Sequence, residues 1–461
     1  MRKLIALTCL LAGISCGAWA LAAEAATSIS TATTITSPGE YILASNITGD
    51  INIYADHVDL DCNDKTISGT LFCKYANGSE STDITIYDCA EVALLKVWNC
   101  FDVSITNCVL KKVDISGANT ANRKSQNVWL YDCTIAPDDD LAASVVTFGT
   151  GSAAAVACGM SGCDMAATGV GTGAVTGGYG IQVSAPTSGS NTRSSVSIID
   201  TSIDLTGPTK NYVQIQYADM LIDGCTLTVT DPVGSGDRVS LRSASNGTMR
   251  DTKVYVDAGD ASNVHAVGVF KDCNWTFENC DFRMINEGGF AFFQEDGASS
   301  FLKDCILVTE NTITARHYNG RLKMFGCVIY QGDGQANALD ASFAGARNAD
   351  VDLRGNLFIT NGGVALNAPT SAGLKLYKNH YWELSSGTLA TISGEEYADL
   401  ADLQDAGYDV EAEGGAIPFF SYGTSDFTPT FAPWPYVGPR IKASKPQPYE
   451  QGRARRRRWE S

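Results

Sequence analysis

The strongest constraint on this chain is a short motif that keeps returning: "TIYDCAE", "SITNCVL", "WLYDCTI", "LIDGCTL", "TFENCDF", "FLKDCIL" and "KMFGCVI". Each has an alternating apolar pair, then Asp, Asn or Gly, then a cysteine. Aligned on that last residue, the motif superimposes Asn63, Cys89, Cys108, Cys133, Cys163, Thr201, Cys225, Thr252, Cys280, Cys305, Cys327, Asn356 and Asn379. Asn63 and Asn379 match loosely, with Cys62 and Lys378 just before them. The mean step is roughly 26 residues, a period typical of solenoids. Pairs such as Val103/Ile105, Val128/Leu130, Leu322/Met324 and Val351/Leu353 have the strand period of two, with one face buried. No helical period is sustained within the repeats. The chain is therefore expected to be all-β, a single-stranded right-handed parallel β-helix of about 13 coils.

That architecture explains the cysteines. Successive coils of a parallel β-helix lie about 4.8 Å apart, so a residue type at a fixed place stacks on its own copies. At an inward-turned bend the side chain must be small, must pack on itself and must tolerate backbone polar groups. Cys, Thr and Asn all do. The Asp, Asn or Gly before it accepts the left-handed backbone of a sharp bend. The cysteines thus read as a mostly reduced, buried stack in place of an asparagine ladder. Disulfides between neighbouring coils are the rival reading, with Cys158 and Cys163, or Cys273 and Cys280, as local candidates. The four histidines are scattered and form no Cys/His cluster of metal-binding spacing.

The chain opens "MRKLIALTCLLAGISCGAWALAAEAA", a positive start, an apolar run and small residues, which is the layout of a bacterial-type signal peptide. Residues 1–23 are assigned to it, with cleavage after Ala20 or Ala23; a lipoprotein reading would use Cys16. No later apolar run reaches the length of a membrane span. A secreted, extracellular or cell-surface location follows. Of fifteen cysteines, Cys9 and Cys16 leave with the leader, so an odd number remains. The net charge is −18, although five arginines crowd the last residues, Arg453 and Arg455 to Arg458. Setting these, Arg2 and Lys3 aside, the body carries roughly −25, which argues against nucleic acid as a partner. The β-helix is assigned to residues 27–390, a C-terminal cap to 391–428 and a Pro/Arg-rich tail to 429–461. In the cap, Ser393 reads as an N-cap with Glu396 three residues on, followed by Tyr397, Leu400 and Leu403 on one helical face.

The segment "SPGEYILASNITGDINIYADHVDLDCNDKTISGT" resembles the start of right-handed parallel β-helix proteins of the pectin-lyase-like superfamily, where a strand leads into a "VxLDxNGxTISG" coil, and "VDLRGNLFI" is similar to a later coil of that family. The resemblance covers roughly residues 36 to 390. It implies the fold and a strand face on which polysaccharide lies. It implies no one activity, because such repeats occur in lyases, hydrolases, epimerases and adhesins. The polygalacturonase signatures Asn-Thr-Asp and Gly-His-Gly are absent, as are the Arg-x-Pro-x-x-Arg run of pectate lyases and the DPHE run of alginate epimerases. Asp138 to Asp140 and the "RIK" of Arg440 to Lys442 stand without their companions.

The segments "YVQIQYAD", "RVSLRSAS", "HAVGVFKD", "GFAFFQED" and "TITARHYN" align as another strand of each coil. With Val213/Ile215, Val239/Leu241, Val267/Val269, Phe290/Phe292 and Ile313/Ala315 inward, the outward pairs are Gln214/Gln216, Ser240/Arg242, Gly268/Phe270, Ala291/Phe293 and Thr314/Arg316. Asp272, Glu295 and Tyr318 follow. Aromatic rings suit the apolar faces of sugars, and amides, carboxylates and guanidinium groups suit their hydroxyls. Gln214, Gln216, Arg242, Phe270, Phe293, Arg316 and Tyr318 are therefore candidate polysaccharide contacts. Arg242 or Arg316 would bind a uronate or act at its C5 proton; Asp272 with Glu295 would serve as acid and base, or hold calcium, the one cofactor considered. His317 follows the inward alternation and reads as a packed histidine. Two functions stay open: polysaccharide binding without cleavage, and a polysaccharide lyase or glycoside hydrolase acting on the same face.

Overall fold

The computed structural model describes residues 26–414, except 75–80, 117–123, 138–143, 151–152, 168–178, 186–192, 207–210, 231–235, 260–263, 286–288, 296, 311, 319, 333–335, 342–349, 369–370, 372 and 386. The assigned leader, the tail and residues 415–428 of the assigned cap lie outside the described residues.

Each turn of chain makes three strands and returns one layer higher. One such turn is Ala218–Asp223, Thr226–Thr230 and Gly236–Arg242; the next is Asn246–Arg250, Lys253–Asp257 and Val264–Val269. Every strand pairs in parallel with its counterpart in the next turn. The protein is a parallel β-helix with three sheet faces. Register in the first sheet holds unbroken through Val196, Met220, Gly247, Trp275, Ser300, Leu322, Val351 and Leu374. Alternation supplies the inward side chains, and these form one continuous core along the axis.

The recurring cysteine sits at the bend from the first sheet to the second, fully buried. Its thiol contacts the carbonyl oxygen two residues back, as in Cys108 to Thr106 (3.2 Å) and Cys225 to Asp223 (3.3 Å). It also reaches a carbonyl of the coil below, as Cys133 does to Ile105 (3.6 Å) and Cys327 to Leu302 (3.6 Å). The asparagine amides at the end of the column donate to the equivalent oxygens, Asn356 to Met324 (2.8 Å) and Asn379 to Leu353 (3.1 Å). Cysteine and asparagine thus do one job here, satisfying a buried carbonyl between coils. Cys158, Cys163, Cys273 and Cys280 are free thiols. The one disulfide among the described residues joins Cys62 and Cys89 in neighbouring coils, with Cα atoms 4.7 Å apart. Cys62 takes the inward place in its coil, and Asn63 is exposed in a left-handed turn (φ 49°). A second column of small buried side chains, including Cys100, Ser125, Ser245 and Cys273, lines the start of the first sheet. Alignment on one key residue missed it.

The residue before each key position has positive φ: Asp88, Asn107, Asp132, Gly162, Asp200, Gly224, Asp251, Asn279, Asp304 and Gly326 in succession. Over this stretch an aspartate alternates with asparagine or glycine; Gly355 and Lys378, before Asn356 and Asn379, end the alternation. Asn107 and Asn279 donate to the aspartates beneath them, Asp88 at 2.7 Å and Asp251 at 2.6 Å. A Cβ on Gly224 would stand 2.3 Å from Oδ1 of Asp200, and one on Gly162 would stand 2.5 Å from Oδ1 of Asp132. The aspartate carboxylate fills the room over the next coil, so that coil must offer either a donor or nothing.

At the C-terminal end, Ser393 (φ 55°) and Gly394 (φ 82°) turn an antiparallel hairpin between Ala390–Ile392 and Glu395–Tyr397. Paired left-handed residues make the two-residue hairpin turn, which displaces the N-cap expected at Ser393. The helix is Leu400–Asp405, capped by Asp399, whose side chain accepts from the Asp402 amide at 3.0 Å. Leu403 is buried from it. Asp409 then closes the ladder, accepting from Asn379 Nδ2 (2.7 Å) and the Tyr381 hydroxyl (3.1 Å).

Burial pushes the Cys158 and Cys225 thiols up to about 12. Cys108, Cys133, Cys280, Cys305 and Cys327 are themselves closed to solvent, so they should resist maleimide in the native protein and label after denaturation without reductant. Oxidised sulfur at these positions would refute a reduced ladder. His317 is buried, and neither ring nitrogen has a partner among the described residues. Burial lowers its pKa to about 4, against about 6.5 unfolded. Between those values only the unfolded chain takes the proton, so stability falls as pH drops through this window, by roughly 3 kcal/mol in all. Urea melts of His317→Leu should show a flatter pH profile over that range; an unchanged slope would assign the effect elsewhere.

Candidate functional site

The third sheet carries the proposed ligand face, and its register fixes the neighbours. Gln182, Gln214, Ser240, Gly268, Phe293, Arg316, Asp340 and Asn367 stand in one row, and Gln216 pairs with Arg242. A second row holds Asp237, His265 and Phe290. Strict alternation fails between these rows. Arg238/Val239, Ala266/Val267 and Ala291/Phe292 are consecutive buried pairs, so residues three apart share the outer side. Phe290, expected inward, contacts the outer groups, whereas Ala291 and Thr314, expected outward, are fully buried. Thr314 Oγ1 donates to the Tyr330 carbonyl at 2.9 Å.

The outer groups form a stack along the helix axis. Asp237, 2% exposed at its side chain, is the anchor at one end. Its Oδ1 meets His265 Nδ1 at 2.7 Å, and its Oδ2 accepts from Arg242 Nη2 at 3.0 Å. Arg242 Nε donates to Ser240 Oγ, and the guanidinium lies over the Phe270 ring, 4.1 Å from its centroid. Gly268 is required beneath it, because a Cβ there would stand 2.3 Å from Asp237 Oδ1 and 2.9 Å from Phe270. In the next coil the His265 ring stacks on Phe293 at 4.5 Å and on Phe290 at 4.8 Å, nearly parallel to both. Arg316 lies over Phe290 at 4.4 Å and pairs with Asp340 at 3.3 Å. Asn367 donates to Asp340 from the coil beyond, also at 3.3 Å. Tyr318 meets Phe293 edge-on at 5.2 Å.

The structure thus gathers Arg242, Phe270, Phe293, Arg316 and Tyr318 into one cluster with Asp237, His265, Phe290 and Asp340. Both arginines face buried carboxylates, so the cluster presents oriented donors with their charge largely answered internally. Phe293 is only 9% exposed, which leaves Phe270 and Tyr318, both half-buried, as the accessible rings. Gln214 is buried and Gln216 half-buried, two coils from Phe270. Asp272 stands in an exposed left-handed turn (φ 63°), and Glu295 is half-buried on the next coil. Among the described residues, no group of three or more His, Cys, Asp or Glu is placed to hold a metal ion. His265 and Asp237 were missed in the sequence because alternation was applied without a break. The recurrence of a polar or aromatic residue three before Ser240, Gly268 and Phe293 was the available signal.

Comparison with protein-family profiles, with curated proteins and with solved structures finds no match. No helix among the described residues is long and apolar enough to cross a membrane.

Because Asp237 serves both His265 and Arg242, Asp237→Asn should lower unfolding free energy by about 2 kcal/mol, leaving one cation without its counter-charge. Paired urea titrations would measure it; a change below about 0.5 kcal/mol would show that the two contacts contribute little.

Proposed function

We propose that the protein is an exported or cell-surface β-helix of the pectin-lyase-like kind that binds polysaccharide along its third sheet without cleaving it. The observation that carries this reading is the guanidinium of Arg242 held over the Phe270 ring by a buried carboxylate. A planar group so fixed offers hydrogen-bond donors in a set direction beside an accessible ring, which is what a sugar with hydroxyls at its edge and C–H groups on its face can use. Gln216, Tyr318 and Glu295 extend the row of polar groups over neighbouring coils. Their rise of about 4.8 Å per coil is comparable with one sugar unit of an extended chain. With Arg242 and Arg316 already paired, the face suits neutral sugars better than a strongly anionic uronate.

The lyase or hydrolase reading gains one specific observation, the His265–Asp237 pair. A carboxylate on Nδ1 orients an imidazole and fixes which ring nitrogen is left to act, which is the arrangement of a general base. In that reading His265 moves the proton and Arg242 steadies developing negative charge. Asp272 and Glu295, and any calcium between them, would be secondary.

A glycan array run beside reducing-end and unsaturated-product assays on the same protein separates the two. Binding should weaken roughly tenfold in Phe270→Ala and in Arg242→Lys, with no product from the unaltered protein. Product formation lost in His265→Gln with binding retained would establish the enzyme. No glycan bound and no product formed would remove both.

A further inference from the structure

The outer face of the first sheet is divided by charge. One outer row runs in unbroken register from Glu40 to Lys375, thirteen coil steps with their midpoint between Ser197 and Leu221. The rows two residues to either side belong to the same face. Over the first four coils these rows carry the carboxylates of Glu40, Asp59, Asp61, Asp83 and Asp102, with His57. Over the last four they carry the cations of Lys303, Arg321, Lys323, Arg354 and Lys375, with Asp350 and Asp352. A chain of formal charge −18 thus gathers positive charge at one end of one face.

Neither end answers its charge fully from within. Glu40, Asp59 and Asp61 have no ion pair among the described residues. Burial, and then the carboxylates of Asp61, Asp59, Glu40 and Asp88, raise the pKa of the Tyr87 hydroxyl that stands beside them. At the other end Asp350 is shared by Arg321 (3.2 Å) and Lys375 (3.3 Å), and Asp352 holds Arg354 (2.7 Å). Lys303 and Lys323 are left without an ion pair among the described residues. The side chains of Asp83 and Arg321 are 53% and 61% exposed, so both ends are open to a partner. The middle of the face is less polar. Ile199 and Leu221 lie half-buried at the midpoint, and the Trp129 and Tyr131 rings stand nearly parallel, 5.8 Å apart, two coils before Ser197. Gly159 makes room for Trp129, because a Cβ there would stand 2.7 Å from its ring.

We propose that this face is the interface of a dimer, in which a second copy of the chain packs on it with its solenoid axis reversed. Identical chains pair most readily about a two-fold axis. An axis along the solenoid would lay each coil on its own copy, carboxylate against carboxylate. An axis along the strands, through the midpoint of the row, reverses the order of the coils and keeps the rows. It sets Glu40 of one copy against Lys375 of the other, Asp61 against Arg354, Asp83 against Arg321 and Tyr87 against Phe325. Asp59 meets Asp352, whose charge Arg354 already answers. Each contact occurs twice, and the apolar middle of one copy meets that of the other. Thirteen steps make about 62 Å and three rows about 14 Å, so roughly 900 Å² of each copy is available, near the ~800 Å² per partner of a specific interface. The inference is independent of the sugar face, which lies on the third sheet.

The test is sedimentation equilibrium of the full chain. At low salt the unaltered protein should be a dimer, and added salt should favour its dissociation. Arg321→Asp should raise the dimer Kd about tenfold or more, and so should Asp83→Arg. The chain carrying both changes should return to within about threefold of the unaltered protein, because each contact is then restored with its signs exchanged. Lys253→Glu, on the outer face of the second sheet, should leave the Kd unchanged. A chain that stays monomeric at low salt, a dimer indifferent to salt and to both reversals, or a double variant no tighter than the single ones would each overturn the proposal.

Discussion

Everything in this protein depends on like meeting like along the axis. Parallel pairing, unbroken in register through the first sheet from Val196 to Leu374, places each side chain against its counterpart in the coils above and below, at the strand spacing. A position on the coil is therefore a column, and only residues that tolerate their own neighbours can fill it. Apolar columns solve the problem by packing, and polar columns by exchanging hydrogen bonds with the next layer. Charged columns need alternation of sign or of size. The three solutions are all present: the interior core, the ladder from Cys108 to Asn379, and the stack from Asp237 through His265, Phe290 and Arg316 to Asp340.

The same rule decides how much could be read beforehand. A column repeated many times leaves a strong periodic trace, so the β-helix and its buried cysteine bend were legible from the recurring "DC", "NC" and "GC" pairs. Ser393, in contrast, has the residue type of a helix cap, and only the left-handed geometry shared with Gly394 made it a hairpin turn. The first rung was ambiguous for a related reason. Cys62 and Asn63 are adjacent and both fit the column, and side-chain direction, invisible in a string of letters, chose Cys62.

The outer stack was half legible. Arg242, Phe270, Phe293 and Arg316 fell on one face because period-two counting works near the end of each strand. Counting failed toward the strand starts, where two consecutive residues turn inward, and with it went His265, Asp237 and Phe290. These three change the chemistry of the face. Asp237 makes the apparently available Arg242 one member of an internally balanced pair, Phe290 lies under the Arg316 guanidinium, and His265 places an imidazole where only rings and guanidinium groups were anticipated. Asp340 was hidden differently, in a strand of two residues too short to show any period.

The alternation of Asp with Asn or Gly at the bend has a bearing on how such a chain can grow. From Asp88 to Gly326 the structural coil is single, but the chemically complete unit is two coils, one that extends a carboxylate upward and one that receives it. Deleting the coil of Gly224 would set Asp200 beneath Asp251, and deleting that of Asp251 would set Gly224 beneath Asn279 with no acceptor between them. Lengthening or shortening this part of the solenoid without penalty therefore requires an even number of coils.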